Sequence, residues 1–171
     1  MDKTKQAGKP QKAGGLRRRK SVLVIHGHDE LNLYRLKEFL LGLRLDLVLL
    51  NELPGRSNTI IEKWELQAPD ADYAIALMTP DDHVESEKKN YLQARPNVHI
   101  EIGWAFCFLG RANVCLLVMR GTHIPTDLEG IHRVEFDTSI KEVAPQLEKE
   151  LKSAGISMRR RLQPTSPRIS H

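Results

Sequence analysis

Residues 21–30 read Ser21-Val22-Leu23-Val24-Ile25-His26-Gly27-His28-Asp29-Glu30, and this stretch decides the fold. After Ser21 the run is short, wholly apolar and rich in β-branched side chains. A run of that kind without polar alternation reads as a strand buried on both faces, as parallel sheets require. Apolar content stops at His26. Leu33, Leu36, Leu40 and Leu43 then recur at helical spacing. The unit is therefore strand, loop and helix, with a glycine in the connection and Asp29 or Glu30 at the start of the helix, where an acid is favoured by the helix dipole.

The same grammar repeats along the chain. Residues 45–50 form a second strand candidate, and Asn51-Glu52-Leu53-Pro54-Gly55-Arg56-Ser57-Asn58 is a turn-rich loop. Residues 59–66 read as helix with Ile60, Ile61 and Trp64 on one side. Residues 72–78 form a third strand, followed by Thr79-Pro80-Asp81-Asp82; residues 83–96 are hydrophilic and read as loop. Asn97 is an N-cap candidate for a helix that buries Val98, Ile102, Ala105, Phe106 and Leu109 and stops at Gly110. Residues 113–119 are a fourth strand, 120–133 loop, and 133–136 a short fifth strand. Residues 139–153 are a last helix, with a capping box at Ser139 and Glu142 and with Pro145 delaying regular helix.

Five strands alternating with helices predict an α/β domain with a parallel sheet. Right-handed crossovers gather the strand-to-helix loops on one edge. Ligands of such sheets bind beyond the carboxyl ends of the strands, where the strand order switches.

Composition fits one globular domain with tails: 40% of the 171 residues are hydrophobic and 28% charged. Charge is unevenly spread. Residues 1–20 hold eight Lys/Arg against one Asp, and residues 158–171 hold four Arg and no acid. The chain totals +4, so residues 21–157 carry the balance, net −7. An acidic domain with basic ends argues against a nucleic-acid-binding fold, which places its basic patch on the domain itself. The ends are expected to be disordered basic tails, the one part suited to non-specific contact with nucleic acid. Cys107 and Cys115 both lie in apolar runs and read as reduced core thiols of a cytoplasmic protein. No run is long enough to span a membrane.

Among the polar loops, Gly27 before a helix start suits a phosphate or ribose, Arg56 an anion, and Asp81-Asp82 a cation, a sugar hydroxyl or simply a turn. His26 and His28 could ligate a metal, but no third ligand at fixed spacing accompanies them, so no metal site is assigned. P-loop, G-x-S-x-G and Cys/His dyad patterns are absent. That leaves Glu101, one turn into its helix beside Ala105 and Phe108 at the border of the apolar stripe, as the best chemical candidate. A carboxylate there is partly desolvated unless something pairs with it. The plainer reading is a first-turn acid favoured by the dipole.

Four motifs stand in one order. They are His26-Gly27-His28-Asp29-Glu30; Arg56 with Thr59-Ile60-Ile61-Glu62-Lys63-Trp64-Glu65; Leu77-Met78-Thr79-Pro80-Asp81-Asp82; and Arg95-Pro96-Asn97-Val98 with Glu101 and Gly103. Together they closely resemble the bacterial TIR-like predicted nucleotide-binding domain, the kind found in TIR–STING effectors of cyclic-nucleotide (CBASS) antiphage systems. The resemblance covers residues 21–137. It implies a flavodoxin-like, three-layer TIR fold with a five-stranded parallel sheet. It implies a domain that binds NAD and, in active members, cleaves the nicotinamide–ribose bond, with NAD as substrate and no separate cofactor. Glu101 matches the family's catalytic glutamate. Gly27, His28, Asp29, Arg56, Thr79, Asp81, Asp82, Arg95 and Asn97 fall in the matched motifs and are expected to bind the nucleotide.

Residues 138–171 are too few for a cyclic-dinucleotide receptor, so a separate sensor protein or self-association is the expected trigger. Two other readings stand beside the NADase. One is a nucleotide-binding or TIR interaction module without turnover, with Glu101 in a structural pair. The other is an α/β nucleoside-processing enzyme such as a deoxyribosyltransferase.

Overall fold

The computed structural model describes residues 19–49, 62, 64–65, 71–86 and 89–158. Residues 1–18 and 159–171 of the basic tails, Arg56 and the rest of the 51–58 loop lie outside these residues.

Four strands carry the continuous apolar runs: β1 (Ser21–His26), β2 (Asp46–Leu49), β3 (Tyr73–Met78) and, later in the chain, β6 (Val114–Met119). The last strand, β8 (Arg133–Phe136), alternates, with Val134 and Phe136 buried. These five make one sheet in the order β2-β1-β3-β6-β8, with every neighbouring pair parallel. The arrangement is flavodoxin-like, and its order reverses between β1 and β3.

Alternate residues of each strand feed two cores. Val22, Val24, Tyr73, Ile75, Leu77, Cys115 and Leu117 face the layer of α1 (Glu30–Gly42), joined by the C-terminal helix. Leu23, Ile25, Ala74, Ala76, Met78, Leu116 and Val118 face Trp64 and α2 (Pro96–Leu109). The alanines at 74 and 76 let α2 lie close on the sheet. α1 buries Leu33, Leu36 and Leu40 as the leucine spacing requires, each such side chain being worth about 1.5–3 kcal/mol. Of the predicted 59–66 helix, Glu62, Trp64 and Glu65 are described; all three are helical and Trp64 is buried.

Asp29 is the N-cap of α1. Its carboxylate accepts from the Asn32 backbone N–H at 2.9 Å and from Asn32 Nδ2 at 2.7 Å. We expect Asp29→Ala to lower the unfolding free energy by about 1–2 kcal/mol, seen as a lower urea midpoint at constant m-value. The C-terminal helix begins with a 3₁₀ turn, Ile140–Val143, and runs on as α3 (Ala144–Ser153), with Pro145 in its first turn as anticipated. The Ser139–Glu142 capping box is present. Backbone N–H groups of Asp137, Thr138 and Ser139 hold the Glu142 carboxyl down at about 2.

Four expectations are corrected. Residues 83–96 are not loop: β4 (Asp82–Ser86) and β5 (Lys89–Gln93) form an antiparallel hairpin, and β5 pairs in parallel with β7 (Thr122–His123). Most of the hairpin's side chains are exposed or half-buried, so no apolar pattern marks it; its pairing rests on backbone hydrogen bonds. For the same reason residues 120–133 hold β7 and a 3₁₀ turn (Thr126–Leu128) where loop was expected. Arg95, not Asn97, is the N-cap of α2 and makes no side-chain cap bond. Proline at the first helical position brings a preset φ and no N–H to satisfy, so the helix starts earlier. Cys107 is exposed on α2 and is not a core thiol, whereas Cys115 is buried. Burial, then the charge of Glu150, pushes the Cys115 thiol up to about 12. Among the described residues no helix is long and apolar enough to cross a membrane.

Candidate active site

Beyond the carboxyl end of β1, the strand beside which the order reverses, lies a cavity of about 780 Å³. That size suits a small organic ligand. Its walls come from three places. The β1–α1 loop supplies His26, Gly27 and His28. One stripe of α1 supplies Glu30, Leu33, Tyr34 and Lys37. Trp64 and the first turns of α2, with Arg95, Asn97, Val98, Ile100 and Glu101, supply the rest.

Glu101 sits deeper than its spacing suggested. The buried positions of α2 are Val98, Glu101, Ile102 and Ala105, so the carboxylate belongs to the buried stripe itself. Only 4% of the residue is exposed. Among the described residues no hydrogen bond or ion pair reaches it, and burial pushes its carboxyl up to about 7. Among the described residues, then, Glu101 is a buried carboxylate without a cationic partner, in the wall of the cavity with Val98 and Trp64.

Arg95 is placed by its neighbour. A residue before proline is driven into extended backbone, and Arg95 has φ −55° and ψ 145°. Its Nη1 donates to His28 Nε2, joining the start of α2 to the β1 loop. Its Nε stands 4.0 Å from Asp82 Oδ2, an ion-pair distance, and among the described residues makes no hydrogen bond. The Arg95 carbonyl accepts from His99 Nδ1 at 3.1 Å. With its proton on Nδ1, His26 donates to the Gly27 carbonyl at 2.9 Å, leaving Nε2 for a ligand.

Asp81 braces this loop. Its Oδ1 accepts from Thr79 Oγ1 at 2.9 Å and its Oδ2 from the His28 N–H at 3.3 Å. A Cβ on residue 27 would lie 1.8 Å from that Oδ2, so the close approach requires the glycine.

The nine expected nucleotide-binding residues therefore divide. Gly27, His28, Arg95 and Asn97 line the cavity together with Glu101. Asp29, Thr79, Asp81 and Asp82 stand behind it: Asp29 caps α1, Thr79 and Asp81 hold the loop, and Asp82 faces Arg95. Arg56 lies outside the described residues. Glu30, Leu33, Tyr34, Lys37, Trp64 and His26 line the cavity as well; the sequence marks Glu30 as a helix-start acid, Leu33 and Trp64 as core and His26 as part of a matched motif, and does not single out Tyr34 or Lys37. The available signal was the 30/33/34/37 repeat, a helical stripe directly after the glycine loop.

Comparison with known proteins bears on this site. The family model for the TIR domain of CAP12/Pycsar effector proteins matches residues 21–138. The uncharacterized protein YuaY of Escherichia coli K12 is 38% identical over 120 residues, 69% of this chain and 40% of that protein. Protein tirC of Dictyostelium discoideum is 27% identical over 147 residues, 79% of this chain and 73% of its own. The Pycsar effector protein PaPycTIR of Pseudomonas aeruginosa is 37% identical over 82 residues, 47% of this chain and 27% of that one. The chain thus spans less than half the length of two of these three relatives. With the parallel sheet in flavodoxin-like order and the match running from β1 past β8, this chain belongs to the TIR-domain family of CAP12/Pycsar effector proteins.

Proposed function

We propose that this domain is a TIR-type NAD glycohydrolase that cleaves the nicotinamide–ribose bond, acting in antiphage or stress defence and switched on by self-association or by a separate sensor. The observation that carries this reading is Glu101: a buried carboxylate without a partner among the described residues, opening on a nucleotide-sized cavity at the topological switch point. The cationic pyridinium of NAD would supply a positive charge that no described residue brings to this carboxylate.

Cleavage is then a heterolysis. The bond between the ribose C1′ and the pyridinium nitrogen breaks, and its electron pair goes to that nitrogen. Nicotinamide leaves neutral, so the reaction needs no general acid. Positive charge moves to the ribose as an oxocarbenium ion, which the Glu101 carboxylate stabilises electrostatically or captures as nucleophile. Water then adds at C1′ and loses a proton, giving ADP-ribose; attack by an internal nucleophile gives a cyclised product. Arg95 holds a fixed positive charge for the diphosphate.

The ionised form of Glu101 is the active one, and burial pushes its carboxyl up to about 7. We therefore expect kcat/KM for NAD to rise with pH through about 7 and level off above it, a limb read from initial rates of nicotinamide release. Incubation of purified protein with NAD at high concentration, dilute and crowded, tests the reading. Nicotinamide release that Glu101→Gln abolishes supports it. Absence of turnover under both conditions favours a non-catalytic binding module, and transfer of a nucleoside's sugar to a free base favours the deoxyribosyltransferase type.

A further inference from the structure

We infer that the cavity is divided along its length and that the α1 stripe carrying Leu33 and Tyr34 is the subsite for the nucleoside distal to the scissile bond. The inference rests on the dinucleotide reading above and deepens it.

The cavity has two walls on opposite sides of the sheet edge. One is α2 with Trp64, where Glu101 sits; the other is α1. They meet at the β1 loop, where Arg95 Nη1 donates to His28. The fixed cation of Arg95 thus lies at the junction, with a wall on each side. A dinucleotide has the same layout, a diphosphate between two nucleosides. With the scissile riboside placed against Glu101, the diphosphate falls at the junction and the second nucleoside against α1.

The α1 wall has the chemistry that a purine or pyrimidine nucleoside needs. Leu33 is nearly buried and forms an apolar floor, while Tyr34 is 58% exposed and offers a ring. The ring is held in place, because Tyr34 Oη donates to Glu38 Oε1 at 3.0 Å one turn on. A base stacking there meets a preorganised surface. Glu30 and Lys37, at the two ends of the stripe, stand about 10 Å apart along the helix axis and bracket the ring with polar groups. Tyr34 is exposed and belongs to neither core, so its loss is expected to leave the protein folded.

The test compares two substrates that share the scissile bond: NAD, which has the distal nucleoside, and nicotinamide mononucleotide, which lacks it. We expect Tyr34→Ala to raise KM for NAD about tenfold, the range of one base–aromatic stack, and Tyr34→Phe, which keeps the ring but loses its tether to Glu38, to raise it by less. KM for nicotinamide mononucleotide should show no such dependence on residue 34. Calorimetric binding of both compounds to the Glu101→Gln protein and to Glu101→Gln/Tyr34→Ala repeats the comparison without turnover. Equal effects of Tyr34→Ala on both substrates, or none on either, overturn the α1 subsite and leave the glycohydrolase standing. Differential binding with no cleavage by the wild type supports the subsite and sinks the glycohydrolase. Failure of the wild-type protein to bind NAD at all sinks both.

Discussion

Glu101→Gln should lower kcat for NAD cleavage about a thousandfold while the protein remains folded. The amide keeps the size of the side chain and removes the charge. What is lost is the stabilisation of the oxocarbenium ion in a site where burial keeps water from screening that charge, and single groups of this kind are worth about 10²–10³ in kcat. Loss of the nucleophilic route, should the carboxylate form a covalent intermediate, adds to it.

The same substitution should have the opposite effect on stability, and the direction follows from linkage. The Glu101 carboxyl is raised from 4.5 to about 7 in the folded protein. The folded state therefore holds a proton that the unfolded state has released. Stability is at its full value below about 4.5 and falls as pH rises through about 7, by at most ~3 kcal/mol. Gln does not titrate. We expect Glu101→Gln to raise the melting temperature by a few degrees at pH 8, since its buried amide keeps part of the desolvation cost. At pH 4 the two proteins should melt together. A variant that melts lower than wild type at pH 8 would show that the carboxylate is held in a stabilising pair, and the catalytic reading would lose its basis.

Gly27→Ala is expected to cost about 1–3 kcal/mol of stability and at least tenfold in kcat/KM. The new methyl would meet Asp81 Oδ2 at 1.8 Å and Cγ at 3.0 Å. Relief requires Asp81 to turn away from the His28 N–H and Thr79 Oγ1, its two partners. The loop carrying His26 and His28 then loses its brace at the point where it lines the cavity. A double-mutant cycle isolates the cause. If the clash with Asp81 is responsible, Gly27→Ala together with Asp81→Ala should be less destabilised than the sum of the single variants, by on the order of 1 kcal/mol. Additive losses, measured by urea denaturation, would mean that the glycine is needed for some other reason.

Tertiary structure also revises what several sequence motifs do. Asp81-Asp82 after a strand reads equally well as a ligand pair or as a turn. Folded, Asp81 braces the β1 loop and Asp82 faces Arg95. Tyr34 and Lys37 look like the solvent face of an amphipathic helix, and they become cavity wall only because α1 begins directly after the glycine loop and borders the switch point.

Hydrophobic pattern alone marks the five strands, α1, the C-terminal helix and the helix on which Glu101 rides. A strand buried on both faces declares itself by an unbroken apolar run, whatever it pairs with, and a leucine repeat declares a helix in the same way. The β4–β5 hairpin, the exposure of Cys107, the depth of Glu101 and the division between residues that line the cavity and residues that support it emerge only in the folded chain. The physical reason is that hydrophobic pattern records which side chains leave water. It does not record which distant backbone or polar groups come to meet, such as Leu92 beside Thr122 or Arg95 against His28.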